Sequence, residues 1–287
     1  MKKLTIIIPT RNRKEVLFKT LKNLQKLNEP KPEIMVYDDN SEEDYSLELE
    51  KAFPEVNFRR SSVRLGPCEL RNRMIKEAAG GFIIGLDDDS YFLDIMDYIE
   101  ALKIIENSPK IGLIGFKIIT KDGVQFPSGL KEGSYGSACF MTCGFIARKE
   151  TILKAGGFDP LLLRAGEERD LAIRILDEDL DLLQDNEIEV FHELSDYERV
   201  HQFIHGYAFR NELFFYLKYF PTILCPLFIF KCIIGHTIFC FSRLWFKAYF
   251  FGISRFILDF EIFAKKRRPV KFSTAKKYLL LNFRNKN

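Results

Sequence analysis

Phe82–Ser90 reads FIIGLDDDS, a short apolar run that breaks without a spacer into three consecutive carboxylates. A run this short, bounded by a polar cluster, predicts a buried strand. Three like charges leaving a buried strand repel one another, so something must offset that cost. A divalent cation bridging a diphosphate would do so, because Mg2+ usually keeps one or two protein carboxylates and takes phosphate oxygens besides. The plainer reading is an acidic turn capping the helix that follows. The triplet alone leaves both standing.

Upstream, apolar runs alternate with helical patterns, the signature of a parallel sheet with crossover helices. Leu4–Ile8 (LTIII) predicts a buried strand, and Val16, Leu17, Leu21, Leu24 and Leu27 follow at near-helical period. Glu33–Tyr37 predicts a second strand, Ser41–Ala52 an acidic helix, Val56–Phe58 a short strand and Glu69–Ala79 another helix. Open α/β sheets bind ligands outside the carboxyl ends of their strands. The residues there are Pro9–Arg13 (PTRNR), Asp38–Ser41 (DDNS) and the triplet Asp87–Asp89. An Asp at the second exit can bond a base or ribose edge, or make an Asx turn. Arg11, Arg13 and Arg71 are placed to reach a diphosphate, or else are solvated surface. Downstream, Leu113–Ile119, Ala138–Ala147 and Glu187–Phe191 predict strands, Glu167–Leu180 a helix, and Asp196 towards Tyr219 a further helical stretch. Glu167 and Glu168 follow a Gly at that helix start, where acids are favoured by about 0.3–1 kcal/mol each.

Charge is divided along the chain. From Leu213 onward 14 Lys/Arg face two acids, a net of +12; before it 29 basic and 38 acidic residues give −9. An acidic body to residue 212 and a basic, Phe-rich region over 213–287 is the expected organisation. Such a tail suits anionic lipid headgroups rather than nucleic acid. The six cysteines form no CxxC pair and lack zinc spacing, so they are expected to be reduced packing residues. The opening apolar run is too short for a signal h-region, which places the acidic body in the cytoplasm as an expectation.

Taken in order, these motifs resemble the inverting family 2 glycosyltransferases, whose catalytic domain has the GT-A fold. The likeness runs from Leu4 to about Asn211. IIIPTRNR resembles the family's opening strand and donor-binding loop, implicating Pro9, Thr10, Arg11 and Arg13. VYDDNS resembles its second strand exit, where Asp39 with Asp38 would hold uracil and ribose. LRNRMIKEAAGGFIIGLDDDS resembles the segment leading into its DxD, placing Asp87 at the ribose, Asp88 on the donor side, Asp89 on the metal (Mg2+ or Mn2+) and Arg71 near the diphosphate. AGEERDLAIRIL resembles the helix bearing the catalytic base. Many members read Glu-Asp where this chain has Glu167-Glu168, so Glu168 takes the base role by position and Glu167 is expected to orient the acceptor. VFHELS puts His192 where many members have a metal or phosphate contact, and Arg210-Asn211 is similar to a pair near the acceptor. His201 and His205 are expected to be structural.

The resemblance implies transfer of a sugar from a UDP- or dTDP-sugar to a hydroxyl of a saccharide or lipid-linked acceptor in surface polysaccharide assembly. A sugar-phosphate nucleotidyltransferase would need a Gly-rich loop after the first strand, which PTRNR lacks. The Gln-x-x-Arg-Trp motif of processive synthases is absent from the sequence. An inactive membrane-bound scaffold of the same fold is disfavoured by retention of the acidic motifs. In the tail, His236, Arg243, Lys247 and Ser254 are spaced to share one helical stripe, with aromatic residues on the other faces. That pattern, with KKRRPVK (Lys265–Lys271), predicts peripheral attachment at the cytoplasmic face of the membrane rather than a span.

Overall fold

The computed structural model describes residues 3–27, 31–127, 131–193 and 201–284. Its centre is a sheet whose strands, in chain order, are β1 (Leu4–Thr10), β2 (Glu33–Asp38), β3 (Val56–Arg60), β4 (Phe82–Leu86), β5 (Ser90–Phe92), β6 (Ile111–Thr120), β7 (Gly123–Phe126), β8 (Ser134–Gly136), β9 (Gly144–Arg148) and β10 (Asp181–His192). They lie side by side as β3-β2-β1-β4-β9-β6-β10-β5, with β7 on β6 and β8 on β10. The first four are parallel, as is the long β6–β10 pair; β9 runs against both its neighbours.

The unbroken apolar run of β1 follows from burial on both sides. Successive side chains go to opposite faces. Ile6 and Ile8 join Val36 and Ile84 under α1 (Lys14–Leu24), α2 (Ser46–Ala52) and α4 (Asp97–Asn107). Ile7 joins Met35 and Ile83 under α3 (Pro67–Glu77), α5 (Lys149–Ala155) and α6 (Glu167–Asp177). Gly85 in β4 is required by close approach: a Cβ there would lie 2.0 Å from Cε1 of Phe145. Phe145 is fully buried against Phe140 and Phe158, so it cannot swing aside freely. Gly85→Ala is therefore expected to cost about 1–3 kcal/mol by overpacking. The check is a lowered urea midpoint at unchanged slope; an unmoved midpoint would contradict it.

Two sequence expectations give way here. The helix expected from Ser41 begins at Ser46, because Ser41 is used to hold Asp38: its N–H donates to Asp38 Oδ2 at 3.1 Å and its hydroxyl to Asp38 Oδ1. The strand expected over Ala138–Ala147 is confined to Gly144–Arg148, since Ser137 turns the chain by accepting the Cys139 N–H and donating to the Cys139 carbonyl.

The C-terminal region is not a separate body. The boundary expected at 212/213 falls inside α7 (His201–Tyr219), and the part of the expected helix before His201 lies outside the described residues. Phe215, Tyr219 and Phe220 share a core with the sheet, as do Ala275 and Tyr278 of α11 (Phe272–Arg284). Lys218 is buried and donates to Asp159 at 2.8 Å and Asp170 at 2.7 Å. Between α7 and α11 lie α8 (Cys225–Ser242), α9 (Phe246–Leu258) and α10 (Phe260–Lys265). The chain leaves the body at the end of α7 and rejoins it there: Arg268 N–H donates to the Lys218 carbonyl and Val270 N–H to the Tyr219 carbonyl, both at 2.9 Å.

One further expectation about this region is corrected. His236 and Lys247 do not share a helix, because the chain breaks at Leu244, which takes a φ of 57° between α8 and α9. The basic run Lys265–Lys271 pairs in part with the protein, while Lys265, Lys266, Arg268 and Lys271 stay about half exposed or more. Lys266 pairs with Asp159, Lys271 with Asp179, and Arg267 donates to the Leu217 and Phe220 carbonyls at the end of α7.

Candidate active site

Three strand exits converge on one cleft of about 420 Å³. β1 delivers Pro9, Thr10, Arg11 and Arg13; β2 delivers Asp39; β4 delivers Asp87 and Asp88; α3 contributes Arg71 and α6 contributes Glu167. This placement follows from the parallel sheet, whose neighbouring strands end at the same edge.

Local hydrogen bonds fix each acid differently. The Asp39 carboxylate accepts the N–H of Leu65 at 2.6 Å and of Gly66 at 3.0 Å, tying the loop before α3 to the β2 exit. Asp38, expected beside it on the donor, is turned inward. It is fully buried, and its oxygens are taken by Ser41, by Tyr45 Oη at 3.3 Å and by Arg60 at 3.4 Å. Asp87 pairs with Arg71 Nη2 at 2.6 Å. Asp88 accepts from Thr10 Oγ1 at 2.8 Å and from Arg13 Nη1 at 2.6 Å. Burial nonetheless pushes Asp88 up to about 7, with Arg13 opposing and the charges of Asp89 and Asp87 adding to the rise.

Asp89 behaves oppositely. Burial would raise it, but His192 and Arg13 outweigh that and hold its carboxyl below the ordinary range. Arg13 Nη2 donates to Oδ2 at 2.6 Å, while Oδ1 is buried, has no hydrogen bond, and faces His192 Nε2 at 3.1 Å. His192 is oriented from behind by Gln125 Oε1, 2.8 Å from its Nδ1. Ligand atoms of Asp87, Cys143 and His192 also lie within 4.8 Å of one another. A buried carboxylate oxygen lacking a donor, beside an imidazole nitrogen, fits a small divalent cation.

At the start of α6, Gly166 takes a φ of 94° and Glu167 and Glu168 open the helix. Glu167 lines the cleft, with Oε2 buried and unpartnered. Glu168 accepts from Thr142 Oγ1, in the turn before β9, at 3.4 Å. Burial raises both carboxyls above their ordinary value. Asn211 does not enter the cleft but donates to the Arg164 carbonyl at 2.9 Å and the Ala165 carbonyl at 2.7 Å, shaping the loop before Gly166; Arg210 pairs with Asp259. Sequence reasoning did not find Arg64, Thr142, Leu163, Arg164 and Ile204, all of which line the cleft. Arg64, Thr142, Leu163 and Arg164 sit in loops and Ile204 on α7; their approach to the cleft depends on tertiary contacts, and no spacing betrays them.

Residues 5–143 match the family described as Glycosyl transferase family 2. An uncharacterized glycosyltransferase of Haemophilus influenzae is 27% identical over 190 residues, covering 61% of this chain and 62% of that protein. The GalNAc(5)-diNAcBac-PP-undecaprenol beta-1,3-glucosyltransferase of Campylobacter jejuni is 35% identical over 97 residues, covering 32% of this chain and 31% of that protein. The crystal structure of GalNAc-T7 with UDP, GalNAc and Mn2+ shares the fold, with a TM-score of 0.63 at 17% identity over 77% of this chain and 49% of that one. This chain thus spans less than two thirds of each.

Proposed function

From the match of residues 5–143 to Glycosyl transferase family 2, we propose that this chain moves a sugar from a nucleoside diphosphate donor to a hydroxyl of a saccharide or lipid-linked acceptor, with inversion, in surface polysaccharide assembly. The observation that carries this reading is the single cleft in which Asp39, the Asp87–Asp88 pair, Arg71 and Glu167 meet. Asp39 offers carboxylate oxygens to the nucleoside. Arg71 and Arg13, already aligned by Asp87 and Asp88, offer N–H donors to the diphosphate. Asp89 and His192, with Asp87, would hold the divalent cation, which supplies Lewis-acid stabilisation of the leaving diphosphate. Glu168 takes the proton of the attacking hydroxyl, and Glu167 orients the acceptor from the cleft wall. The donor is UDP- or dTDP-linked on this reading; the Campylobacter relative acts, by its name, on an undecaprenol diphosphate. Release of nucleoside diphosphate from a donor panel, with membrane lipid extract as acceptor source, tests it. Failure of every donor in the presence of acceptor and cation would overturn it.

We further propose peripheral attachment to the cytoplasmic face of a membrane. Supporting it are the apolar side chains that α8–α10 present outward, among them Leu227, Phe230, Ile238, Leu244, Phe250 and Leu258. α8 has 18 residues and a mean hydropathy of 1.7, apolar and long enough by those measures to cross a bilayer. At 1.5 Å per residue it reaches about 27 Å, just under the roughly 30 Å hydrocarbon core, which favours lying in the interface. Binding to anionic vesicles is expected to survive high salt, because each buried large apolar side chain contributes about 1.5–3 kcal/mol that ions do not screen. Ile238→Glu with Phe250→Glu should lower the vesicle-bound fraction at least tenfold in a flotation assay. Protein that alkaline carbonate cannot extract would instead reveal a span.

A further inference from the structure

Away from the cleft, α7 and α8 bring together three side chains of metal-ligand type. An oxygen of Glu212, Sγ of Cys232 and a ring nitrogen of His236 all lie within 4.8 Å of one another. Cys232 and His236 are four residues apart, so they share a face of α8. Glu212 meets them from α7, with Oε2 at 3.1 Å from His236 Nε2.

The surroundings of the three are equally specific. The second carboxylate oxygen of Glu212 is held by Tyr216 Oη and by Arg169 Nη1, each at 3.2 Å. His236 stacks on Phe209 with ring centroids 4.2 Å apart, which fixes its plane. Its other nitrogen, Nδ1, faces His205 Nε2 at 3.1 Å. Metal-bound imidazoles characteristically use the outer nitrogen in this way, donating its N–H to a neighbour that locks tautomer and orientation.

We propose that Glu212, Cys232 and His236 form a zinc-class metal site, with His205 as the positioning residue behind His236. One oxygen, one thiolate and one imidazole suit a borderline cation such as Zn2+, whereas Mg2+ and Ca2+ take oxygen donors. Three protein ligands leave the fourth tetrahedral position to water. Binding converts the Cys232 thiol to a thiolate, and its proton passes to solvent. His236 stays neutral, Nδ1–H donating to His205 and the Nε2 lone pair going to the metal. The site cross-links α8 to α7, and so pins the apolar excursion to the catalytic body. It is separate from the cation position at Asp89, where the nearby thiol is Cys143 and the carboxylates are Asp87 and Asp89.

Full-length protein, stripped of metal with a chelator and titrated with Co2+ as the probe, tests the proposal. One equivalent per chain should bind with thiolate-to-cobalt charge-transfer absorption and a raised melting temperature. Asp89→Ala should keep this signal, whereas Cys232→Ala and His236→Gln should lose it. His205→Ala should weaken Co2+ binding about 10–100-fold, the weight of a group behind a ligand. The proposal is overturned if no thiolate absorption develops in the unaltered chain, or if the absorption survives in Cys232→Ala. Should either variant fail to fold, Cys143→Ser decides: thiolate absorption that persists there and is erased by Zn2+ supports the Cys232 site, and absorption lost there overturns it.

Discussion

Asp89→Ala is expected to lose about 10²–10³ of turnover, corresponding to the several kilocalories that a bound cation contributes to transition-state charge. Asp89 is the most committed member of the triplet. Arg13 holds one oxygen at 2.6 Å, and the other is buried beside His192 without a hydrogen bond of its own. Removing it leaves Arg13 with Asp88, so the guanidinium keeps a partner. His192 keeps Gln125. The fold should survive, as circular dichroism would report, and Asp89→Asn controls for the lost volume. Chelation of the unaltered chain should produce the same loss, reversed by Mg2+ or Mn2+. Full activity in excess chelator would remove the cation from the account.

Glu168→Gln is expected to slow transfer about 10²–10⁴-fold, the usual weight of a general base, while donor affinity barely changes. Glu167→Gln should be the milder lesion. If the order reverses, the base is the residue on the cleft wall and not its neighbour towards Thr142. Because burial lifts Glu168 above the ordinary carboxylate value of about 4.3, activity should fall with acidification at a higher pH than a solvated glutamate would give. Stability moves the other way. An acid whose folded pKa is raised contributes fully below its unfolded value, and that contribution is lost as pH rises through the folded value. Glu167, lifted by burial and by repulsion from Glu168, follows this rule. Glu167→Gln should therefore melt higher than the unaltered chain at neutral pH, and equally near pH 4, a difference that calorimetry resolves.

The parallel half of the sheet was legible because its signals are local. Leu4–Ile8, Glu33–Tyr37 and Phe82–Leu86 are runs buried on both faces, and polar residues end each one abruptly. The same logic located Asp39, Arg71 and the acidic triplet at a single edge. What failed depended on partners distant in sequence. Nothing in DDNS distinguishes the aspartate that faces the cleft from the one that Ser41, Tyr45 and Arg60 turn inward. The stripe from His236 to Ser254 assumed a helix that Leu244 interrupts.

The paired backbone bonds at Lys218 and Tyr219 make residues 221–267 a side branch grafted onto an otherwise continuous catalytic scaffold. Excision, with a short turn splicing the end of α7 to Arg268, would remove the outward apolar side chains of α8–α10 together. Truncation after residue 212 would instead strip out Phe215, Tyr219 and Tyr278, which the sheet uses as its own core. Closing the splice shortens the loop between two points already in contact, and loop-closure entropy favours that step. Phe209 and Leu213, which pack on the excised helices, would then require polar replacement.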